Sequence, residues 1–338
     1  MKKIVALLLT ALLALSLCAV SLADDVWTSG KTVFIDVPAR AGGGTDLIIR
    51  YITQALTELN PGVNFVVNNY DVSEVGLAHA AYADRDGLTL TVQTSGGVTN
   101  YYTGVSGFNP AESYAIVAQI TSGGPQAYVA TPNLPFNNMN ELVEYIRTSD
   151  KKLNIGVSLG AISHFAWLNT FNAIDPELNN MVNYVQSGGE ADKLTNIASG
   201  SINLANCSMN SAISYQEAGN LKVIGCVGPD VANLETISEL VGSTLGEEFK
   251  TMPEQGIPYA LNAGNYLVVP FGTDPAIIEA INAKLMELNG NETFENGMKT
   301  MGQFAGVLNV ADSQAAYDKE AAEALDMVNN MGMNVISK

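Results

Sequence analysis

Short apolar runs alternate with longer segments in which apolar residues recur every three or four positions. The runs are rich in β-branched and aromatic residues and are bounded by glycine, proline, asparagine or serine, which predicts buried strands. The longer segments have the spacing of amphipathic helices. We predict strands at 33–37, 63–68, 88–93, 115–120, 126–130, 153–157, 181–185, 202–207, 221–227 and 266–269.

Helices are predicted between these strands. The first begins at Thr45, which can cap it, and its apolar face includes Ile48, Ile52 and Leu56. Others are predicted at 74–83, 139–148, 164–171, 190–198, 210–218, 275–288 and 314–331, and 234–248 is helical or mixed. Strands that alternate with helices predict an α/β fold with parallel sheets and right-handed crossovers.

The length of 338 residues suggests two domains. A glycine–proline break at 122–125 is the predicted first crossover between them, and the strand at 221–227 is the predicted second. Lobe 1 is therefore expected to comprise 24–122 and, with the C-terminal helices, 226–338, and lobe 2 to comprise 123–225.

The first 23 residues have the features of a signal peptide. Lys2 and Lys3 form a basic start, 4–17 is apolar, and 21–23 has the small residues of a cleavage site. The mature chain is expected to begin near Asp24, in the periplasm or at the cell exterior. A retained membrane anchor is the alternative, but the apolar core is short for one.

Cysteines leave two questions open. Cys18 has the position of a lipid-bearing cysteine, although Leu17 before it fits that signal poorly. Cys207 and Cys226 lie in predicted strands, where they form either a disulfide or two buried thiols, since the sequence cannot test the geometry.

The composition narrows the possible functions. Apolar residues make up 47% of the chain and charged residues 15%, which is typical of a globular protein. A formal charge of −18 argues against nucleic acid and anionic membrane surfaces as partners. The histidines, His79 and His164, have no metal-ligand spacing, so no metal and no cofactor is expected, and His79 is predicted to be a helix residue rather than a ligand.

The loop at 38–46 joins a strand to a helix through Gly42-Gly43-Gly44. Such a loop lets a ligand approach the main chain, and the N–H groups of the helix start form an anion site. It is neither a Walker A loop nor a dinucleotide fingerprint, and a βα turn that binds nothing is the alternative. Arg50 follows Asp46 by one turn, which predicts an ion pair.

Four predicted loops follow strands and carry glycine, serine or threonine. They are 38–46, 94–98 with Thr94 and Ser95, 158–163, and 186–190 with Ser187 and Gly188. Ligands of parallel sheets bind beyond the carboxyl ends of strands. These loops offer N–H and hydroxyl donors, which hold carboxylates well. We therefore expect a cleft that binds a small carboxylate-bearing molecule.

One catalytic motif is present. Residues 156–160 fit G-x-S-x-G between a predicted strand and helix, as a nucleophile elbow requires. No histidine follows His164, so the triad order of that fold cannot be completed. We expect no catalytic residues, and a serine esterase that uses Ser158 is the remote alternative.

Six motifs together resemble one family. They are Pro38 with Gly42-Gly43, Asp46 and Arg50; Asp86-Gly87-Leu88-Thr89; the glycine-containing loop 158–164 that ends in His164; Ala218-Gly219-Asn220-Leu221; 251–257; and 270–275. From about Val33 to about Leu288 the chain resembles the extracytoplasmic solute receptors of tripartite tricarboxylate transporters, also called Bug receptors.

The resemblance implies a type II periplasmic-binding-protein fold of two lobes with mainly parallel sheets, and loops of both lobes that hold a solute carboxylate. It also implies delivery of the solute by a monomeric receptor to membrane permease subunits, with a signalling partner as the alternative. Asp46 is expected to orient the loop and water, because two carboxylates repel. Carried over residue by residue, the resemblance implies these ligand-binding residues: Ala41, Gly42, Gly43, Thr45, Asp46, Ser158, Ala161, Ser163 and His164.

The chain departs from the family pattern in two loops. Residues 71–76 replace a run of small residues and add Asp71 and Glu74, while Ser158 stands for glycine and Ala161 for serine or threonine. These changes suit a ligand with one carboxylate and a donor or cationic group better than a di- or tricarboxylate, unless both acids face solvent.

Overall fold

The computed structural model describes residues 26–159 and 162–336. In these residues every predicted strand is present, with ends that differ from the prediction by at most two residues. The strands are β1 (Thr32–Val37), β2 (Asn64–Asn69), β3 (Thr89–Gln93), β4 (Tyr114–Thr121), β5 (Gln126–Ala130), β6 (Asn154–Val157), β7 (Asn183–Gln186), β8 (Leu204–Ser208), β9 (Lys222–Val227) and β10 (Asn265–Pro270).

Twelve α-helices lie in the same described ranges. They are α1 (Gly44–Leu59), α2 (Ser73–Ala81), α3 (Ser95–Tyr102), α4 (Pro110–Ser113), α5 (Met139–Thr148), α6 (Ile162–Ile174), α7 (Glu190–Ala198), α8 (Met209–Glu217), α9 (Leu234–Val241), α10 (Pro275–Met286), α11 (Glu292–Thr300) and α12 (Val310–Asn330).

Three helices were not predicted: α3, α4 and α11. Residues 94–98 were expected to be a loop, but Ser95 begins α3. That helix contains two glycines and few strong helix formers, so its local propensity is weak. Val98 of α3 is buried in the same core as Tyr317 and Ala324 of α12. Tertiary packing therefore stabilises a helix that the local sequence does not favour.

The chain divides into two compact units. Unit 1 holds the chain up to Thr121, Gly264–Met301 and the part from Ala305 on, and unit 2 holds Ser122–Ala263 and Gly302–Phe304. The first boundary lies one residue from the predicted one. The second was predicted at 225/226 and lies at 263/264.

The second boundary moves because β9 belongs wholly to unit 2. Every residue pair between β9 and β5 is antiparallel and lies in the unit-2 sheet. Beyond β9, Ile237, Phe249 and Met252 are buried in unit-2 cores. The prediction assigned this segment to lobe 1 because an apolar strand by itself does not indicate which sheet it will join.

Each unit has a five-stranded sheet, and the two sheets share one topology: the second parallel strand, the first and the third lie side by side, followed by the antiparallel strand and the fourth parallel strand. The orders are β2-β1-β3-β10-β4 and β7-β6-β8-β5-β9. In each sheet four strands share one direction, and the strand in the fourth place, β10 or β5, runs antiparallel to its neighbours. The sheets are therefore mixed, and the four strands that share one direction agree with the prediction of mainly parallel sheets. The antiparallel strand is in each case the first strand after the chain enters that unit from the other.

Helices cover both faces of each sheet. In unit 1 one core contains apolar residues of α1, α10 and α11, and the other contains residues of α2, α3 and α12. In unit 2 one core contains α5 and α6, and the other contains α7, α8 and α9. Most strands, though not the edge strands β2 and β7, are buried on both faces and are near-continuous apolar runs, which is why the sequence identified them.

The cysteine question is settled by strand order. Cys207 on β8 and Cys226 on β9 both pair with Ala127 of β5, which lies between them, and both are free and buried. Two strand spacings separate their Cα atoms by about 10 Å, beyond the reach of a disulfide.

Two features are absent from the described residues. No helix in 26–159 or 162–336 has the length and apolar character needed to cross a membrane. These ranges also hold no group of three histidine, cysteine or acidic side chains placed to bind a metal ion. The predicted signal peptide, Cys18 and Ala161 lie outside the described residues.

Candidate functional site

In unit 1 the candidate loops follow two neighbouring parallel strands. β1 and β3 pair in parallel, so the loop between β1 and α1 and the turn between β3 and α3 emerge at the same edge of the sheet. Ala41, Gly42 and Gly43 are exposed in the first of these. The topology thus brings the predicted residues of unit 1 together.

The backbone between β1 and α1 forms a tight turn. The Gly43 N–H donates to the Arg40 carbonyl at 3.3 Å, and Gly42 adopts a left-handed φ of +80°. The helix begins at Gly44, and its N-cap, Gly43, makes no side-chain cap hydrogen bond. Thr45 was predicted as the cap, but it lies inside the helix. The first N–H groups of α1 are therefore not capped by a side chain.

Asp46 holds this turn in place. Its carboxylate is buried and accepts hydrogen bonds from the Gly42 N–H at 2.7 Å, Arg50 Nε at 2.9 Å and Asn69 Nδ2 at 2.9 Å. Burial alone raises the pKa of Asp46, but the bonds from Arg50, Gly42 and Asn69 outweigh it and hold the pKa below its ordinary value. The predicted ion pair with Arg50 is confirmed. Asp46 has the geometry of a residue that orients the loop.

Asn69 at the end of β2 and Ser73 at the start of α2 brace the same loop, and the sequence analysis missed both. Asn69 Nδ2 also donates to the Ala39 carbonyl at 3.3 Å, and Ser73 Oγ donates to the Pro38 carbonyl at 2.8 Å. β2 pairs with β1 in parallel, so its carboxyl end lies beside this loop. A polar residue at the last position of the neighbouring strand was the available signal.

Thr94 and Ser95 have structural roles in α3. Thr94 is its N-cap, and its hydroxyl accepts the Gly96 N–H at 3.2 Å. Ser95 is the first residue of the helix. Both side chains are half-buried at the edge that carries the β1–α1 loop.

The two additional acids in unit 1 differ in exposure. Asp71 is exposed between β2 and α2, whereas Glu74 is half-buried in the first turn of α2. Burial, and then the negative charge of Glu74, raises the pKa of Tyr114 well above its ordinary value. Glu74 therefore lies close enough to Tyr114, the first residue of β4, for its charge to affect the Tyr114 hydroxyl. Whether either acid faces a ligand stays a prediction.

A buried carboxylate under α2 was not foreseen. Asp36 of β1 is fully buried and contacts His79 Nδ1 at 2.5 Å, Asn68 Nδ2 at 3.2 Å and the Tyr70 hydroxyl at 3.4 Å. His79 was expected to be a helix residue without a ligand role, and it lies on α2 as the partner of this carboxylate. An aspartate inside an otherwise apolar strand was the signal.

In unit 2 the candidate loops follow β6 and β7, which pair in parallel. Ser158 is the first residue after β6; its N–H donates to Ser163 Oγ at 3.0 Å, and its hydroxyl donates to the Gly188 carbonyl at 3.3 Å. The Leu159 N–H donates to Gln186 Oε1 at 2.9 Å. These bonds join the two loops, so Ser158, Ser163 and Gly188 lie together.

Ser163 and His164 lie in the first turn of α6 and are buried. The His164 ring packs edge-on against Tyr184, with 4.7 Å between ring centroids. Burial lowers the pKa of His164, which favours the neutral ring.

Ser187 was predicted to bind the solute; it is buried directly after β7, and the binding role stays a prediction. Its hydroxyl is buried beside Gly156 and has no hydrogen-bond partner among residues 26–159 and 162–336, while its N–H donates to the Val157 carbonyl at 2.8 Å. The side chain therefore points toward the protein interior. Gly188 next to it is exposed.

Glu190 is a further polar residue of this edge that the sequence analysis missed. Its carboxylate accepts the Ser208 N–H at 2.9 Å, Ser208 Oγ at 2.7 Å and Ser211 Oγ at 2.6 Å. Burial raises its pKa, but these hydrogen bonds bring the pKa below the ordinary value overall. Glu190 thereby connects the loop after β7 to the start of α8.

Comparison with known proteins gives one family and one fold. The sequence model described as "Tripartite tricarboxylate transporter family receptor" matches residues 65–303, more than half of the chain. A UPF0065 protein of Bordetella pertussis is 25% identical over 281 residues, which cover 81% of this chain and 80% of that protein.

Two solved structures have the same fold. A TctC solute binding protein from Polaromonas, solved without ligand, has a TM-score of 0.72 and 18% identity over 89% of this chain and 99% of its own. A protein from R. palustris, solved with adipate, has a TM-score of 0.67 and 23% identity over 90% of this chain and 98% of its own.

Proposed function

The chain belongs to the receptor family of tripartite tricarboxylate transporters and is a solute-binding receptor of that type, and from this premise we propose that it captures a small carboxylate-bearing solute outside the cytoplasm. It delivers the solute to the membrane permease subunits of such a transporter. A relative with the same fold was solved with adipate, which supports a carboxylate as the solute.

The observation that carries the proposal is the preformed turn before α1. Its backbone is tied by the bond between Gly43 and Arg40 and by the Gly42 bond to Asp46, while the first N–H groups of α1 have no side-chain cap. A helix start of this kind attracts anions through its N–H groups and its dipole. We propose that Ala41, Gly42, Gly43 and Thr45 surround the carboxylate and that Asp46 orients them.

In unit 2 the corresponding donors are Ser158, Ser163 and His164, with the exposed backbone of Gly188. Each lies at the carboxyl edge of the unit-2 sheet or in the first turn of α6. We propose that they contact the same solute, with Thr94 and Ser95 lining the unit-1 edge. Shared binding by both units stays a prediction, as does the role expected of Ala161.

A thermal-shift screen tests binding. The chain from Asp24 on is heated with mono-, di- and tricarboxylates, amino acids and small aromatic acids. A ligand at 100 times its dissociation constant adds about 2.7 kcal/mol to the free energy of unfolding. Gly43→Asp places a carboxylate at the helix start and should abolish the shift, as should Ser163→Ala.

Matched variants separate lost binding from lost folding. Gly107→Asp makes the same change in charge at an exposed glycine with open space around its Cα. Ser214→Ala removes a hydroxyl of α8 that donates to the Asn210 carbonyl within the same helix. Both should keep the shift. A chain that folds and responds to no carboxylate would contradict the proposal.

Delivery is tested by uptake of the same radiolabelled acid. Cells that carry the permease subunits should accumulate it only when the chain is also present. Uptake that is equal with and without the chain would contradict the transport step but leave binding intact.

A further inference from the structure

The turn before α1 carries a cation that the family resemblance did not single out. Arg40 is exposed and is the third residue after β1. Its guanidinium has no hydrogen bond or ion pair with any residue in 26–159 or 162–336. Arg50, the other arginine of this region, is bonded to Asp46 and Asn69. Within the described residues, therefore, none of the five N–H donors of Arg40 is occupied, and all five can meet a ligand.

The main chain at Arg40 is held rigidly although its side chain is free. The Arg40 carbonyl accepts the Gly43 N–H, and the carbonyls of Ala39 and Pro38 accept bonds from Asn69 and Ser73. Three successive carbonyls are thus fixed by the protein. The loop therefore holds the Arg40 backbone at the start of α1, and binding a ligand does not require it to order first.

Charge favours the same site. The chain has 34 acidic and 16 basic side chains, so most of its surface repels an anion. At this turn the acid, Asp46, is neutralised by Arg50. Arg40, three residues before Gly43, adds a positive charge that forms no ion pair within the described residues, and this charge and the N–H groups of α1 act on a carboxylate in the same sense.

Building on the function proposed above, we propose that Arg40 determines specificity: its guanidinium pairs directly with a carboxylate of the bound solute. A planar fork of N–H donors matches a carboxylate in two parallel hydrogen bonds. The pairing makes the affinity depend on the charge of the solute. Donors that reach the solute only through water would make the affinity depend on that charge far less.

Three variants of the chain from Asp24 on test this pairing. Arg40→Gln removes the charge, and Arg40→Lys keeps the charge but loses the fork. Lys31→Gln is the matched control, an exposed cation before β1 at the opposite end of that strand, about 20 Å away. Calorimetry measures the affinity of each protein for adipate, succinate and benzoate and for the neutral amides adipamide, succinamide and benzamide.

We expect Arg40→Gln to lower the affinity for every acid that binds by about tenfold or more. The affinity for the corresponding amide should fall by less than about threefold. Arg40→Lys should recover part of the loss, and Lys31→Gln should match the wild type. Raising NaCl should weaken acid binding by the wild type more steeply than by Arg40→Gln, because the screened charge is gone from the variant. A merely structural role would leave that salt dependence unchanged.

Two results overturn the inference in different ways. In the first, the wild type binds an acid, and Arg40→Gln either binds it equally well or loses affinity for the acid and its amide alike. Arg40 then does not pair with the carboxylate, but the proposed function stands. If the folded wild type binds no carboxylate at all, the proposed function fails and this inference fails with it.

Discussion

Single residues of this protein act mainly by organising backbone. Asp46 is a carboxylate in a candidate anion site, yet its oxygens are occupied by Gly42, Arg50 and Asn69. Its negative charge is balanced inside the protein and does not face a ligand alone. The charge that distinguishes the loop is that of Arg40.

Replacing Asp46 should therefore cost both stability and affinity. Asp46→Ala removes the acceptor of the Gly42 N–H and one of the two acceptors of Asn69 Nδ2, and we expect a loss of about 2–3 kcal/mol in the free energy of unfolding. Arg50→Ala should cost less than about 1 kcal/mol, because the Arg50 side chain is 51% exposed. Urea unfolding of both variants measures the difference, and equal losses would contradict the orienting role of Asp46.

Glu320 gives a prediction about pH. This buried carboxylate accepts the Tyr266 hydroxyl at 2.7 Å and the N–H of Gly264, the first residue of unit 1 after the chain leaves unit 2. Burial raises its pKa above the ordinary value of 4.5, although these bonds lower it in part. The folded state then binds the proton more tightly than the unfolded state, so stability falls as the pH rises through the range above 4.5.

Glu320→Gln removes this titration. We expect the stability of the variant, relative to the wild type, to increase between about pH 4.5 and about pH 7. Urea unfolding at several pH values measures it. Glu279→Gln, at an exposed position of α10, is the control and should show no such trend. A constant difference across this range would show that the Glu320 pKa is not raised.

At the scale of elements, the order of strands decides where chemistry is possible. Each sheet places the loops after its neighbouring parallel strands at one edge, β1 with β3 and β6 with β7. The predicted donors follow these strands. Most of the candidate residues therefore lie together within their units, although their spacing in sequence is wide.

The start of α1 offers a matched pair of glycines. A Cβ at Gly42 or at Gly44 meets no atom within 4 Å, but only Gly42 has a left-handed φ. Gly42→Ala should therefore destabilise the protein by about 1 kcal/mol through backbone strain alone. Gly44→Ala should be neutral or stabilise it by about 0.5 kcal/mol. Thermal unfolding measures both variants, and a reversed order would contradict the turn geometry.

Strand order also predicts the state of the thiols. Cys207 and Cys226 lie on opposite sides of β5, and burial raises the pKa of Cys207 to about 12 and that of Cys226 well above its ordinary value. Neither should react with a thiol reagent at about pH 8 in the native chain from Asp24 on. In denaturant without reductant both should react. No reaction in denaturant would indicate a disulfide and contradict the strand order.

At the scale of the whole molecule, the charge of −18 affects stability. Repulsion among the acidic side chains opposes the compact state, and salt screens it. Raising NaCl from about 0.05 M to about 0.5 M should add ~1 kcal/mol, which corresponds to ~2 °C in the unfolding temperature. Differential scanning calorimetry measures this increase. A decrease with salt would mean that ion pairs such as that of Arg50 outweigh the repulsion.

Two strands that look alike in sequence join different units, and only β10 joins the one predicted for it in full. The sequence predicts the second crossover at 221–227, but the chain returns to unit 1 only at Gly264. Both β9 and β10 are apolar runs buried on both faces, so their composition does not tell which sheet each will join. Pairing partners far apart in the chain decide it.

The strands and most helices can be predicted from the local pattern alone, because burial requires apolar residues at the period of each element. The sequence also indicated the glycine turn at 42–44 and the Asp46–Arg50 pair, which depend on neighbours in the chain. Tertiary contacts alone set the antiparallel strands, the separation of the two cysteines, the bonds that Asn69 donates and Glu190 accepts, and the burial of Ser187. These depend on contacts between residues distant in sequence, and local pattern carries no information about such contacts.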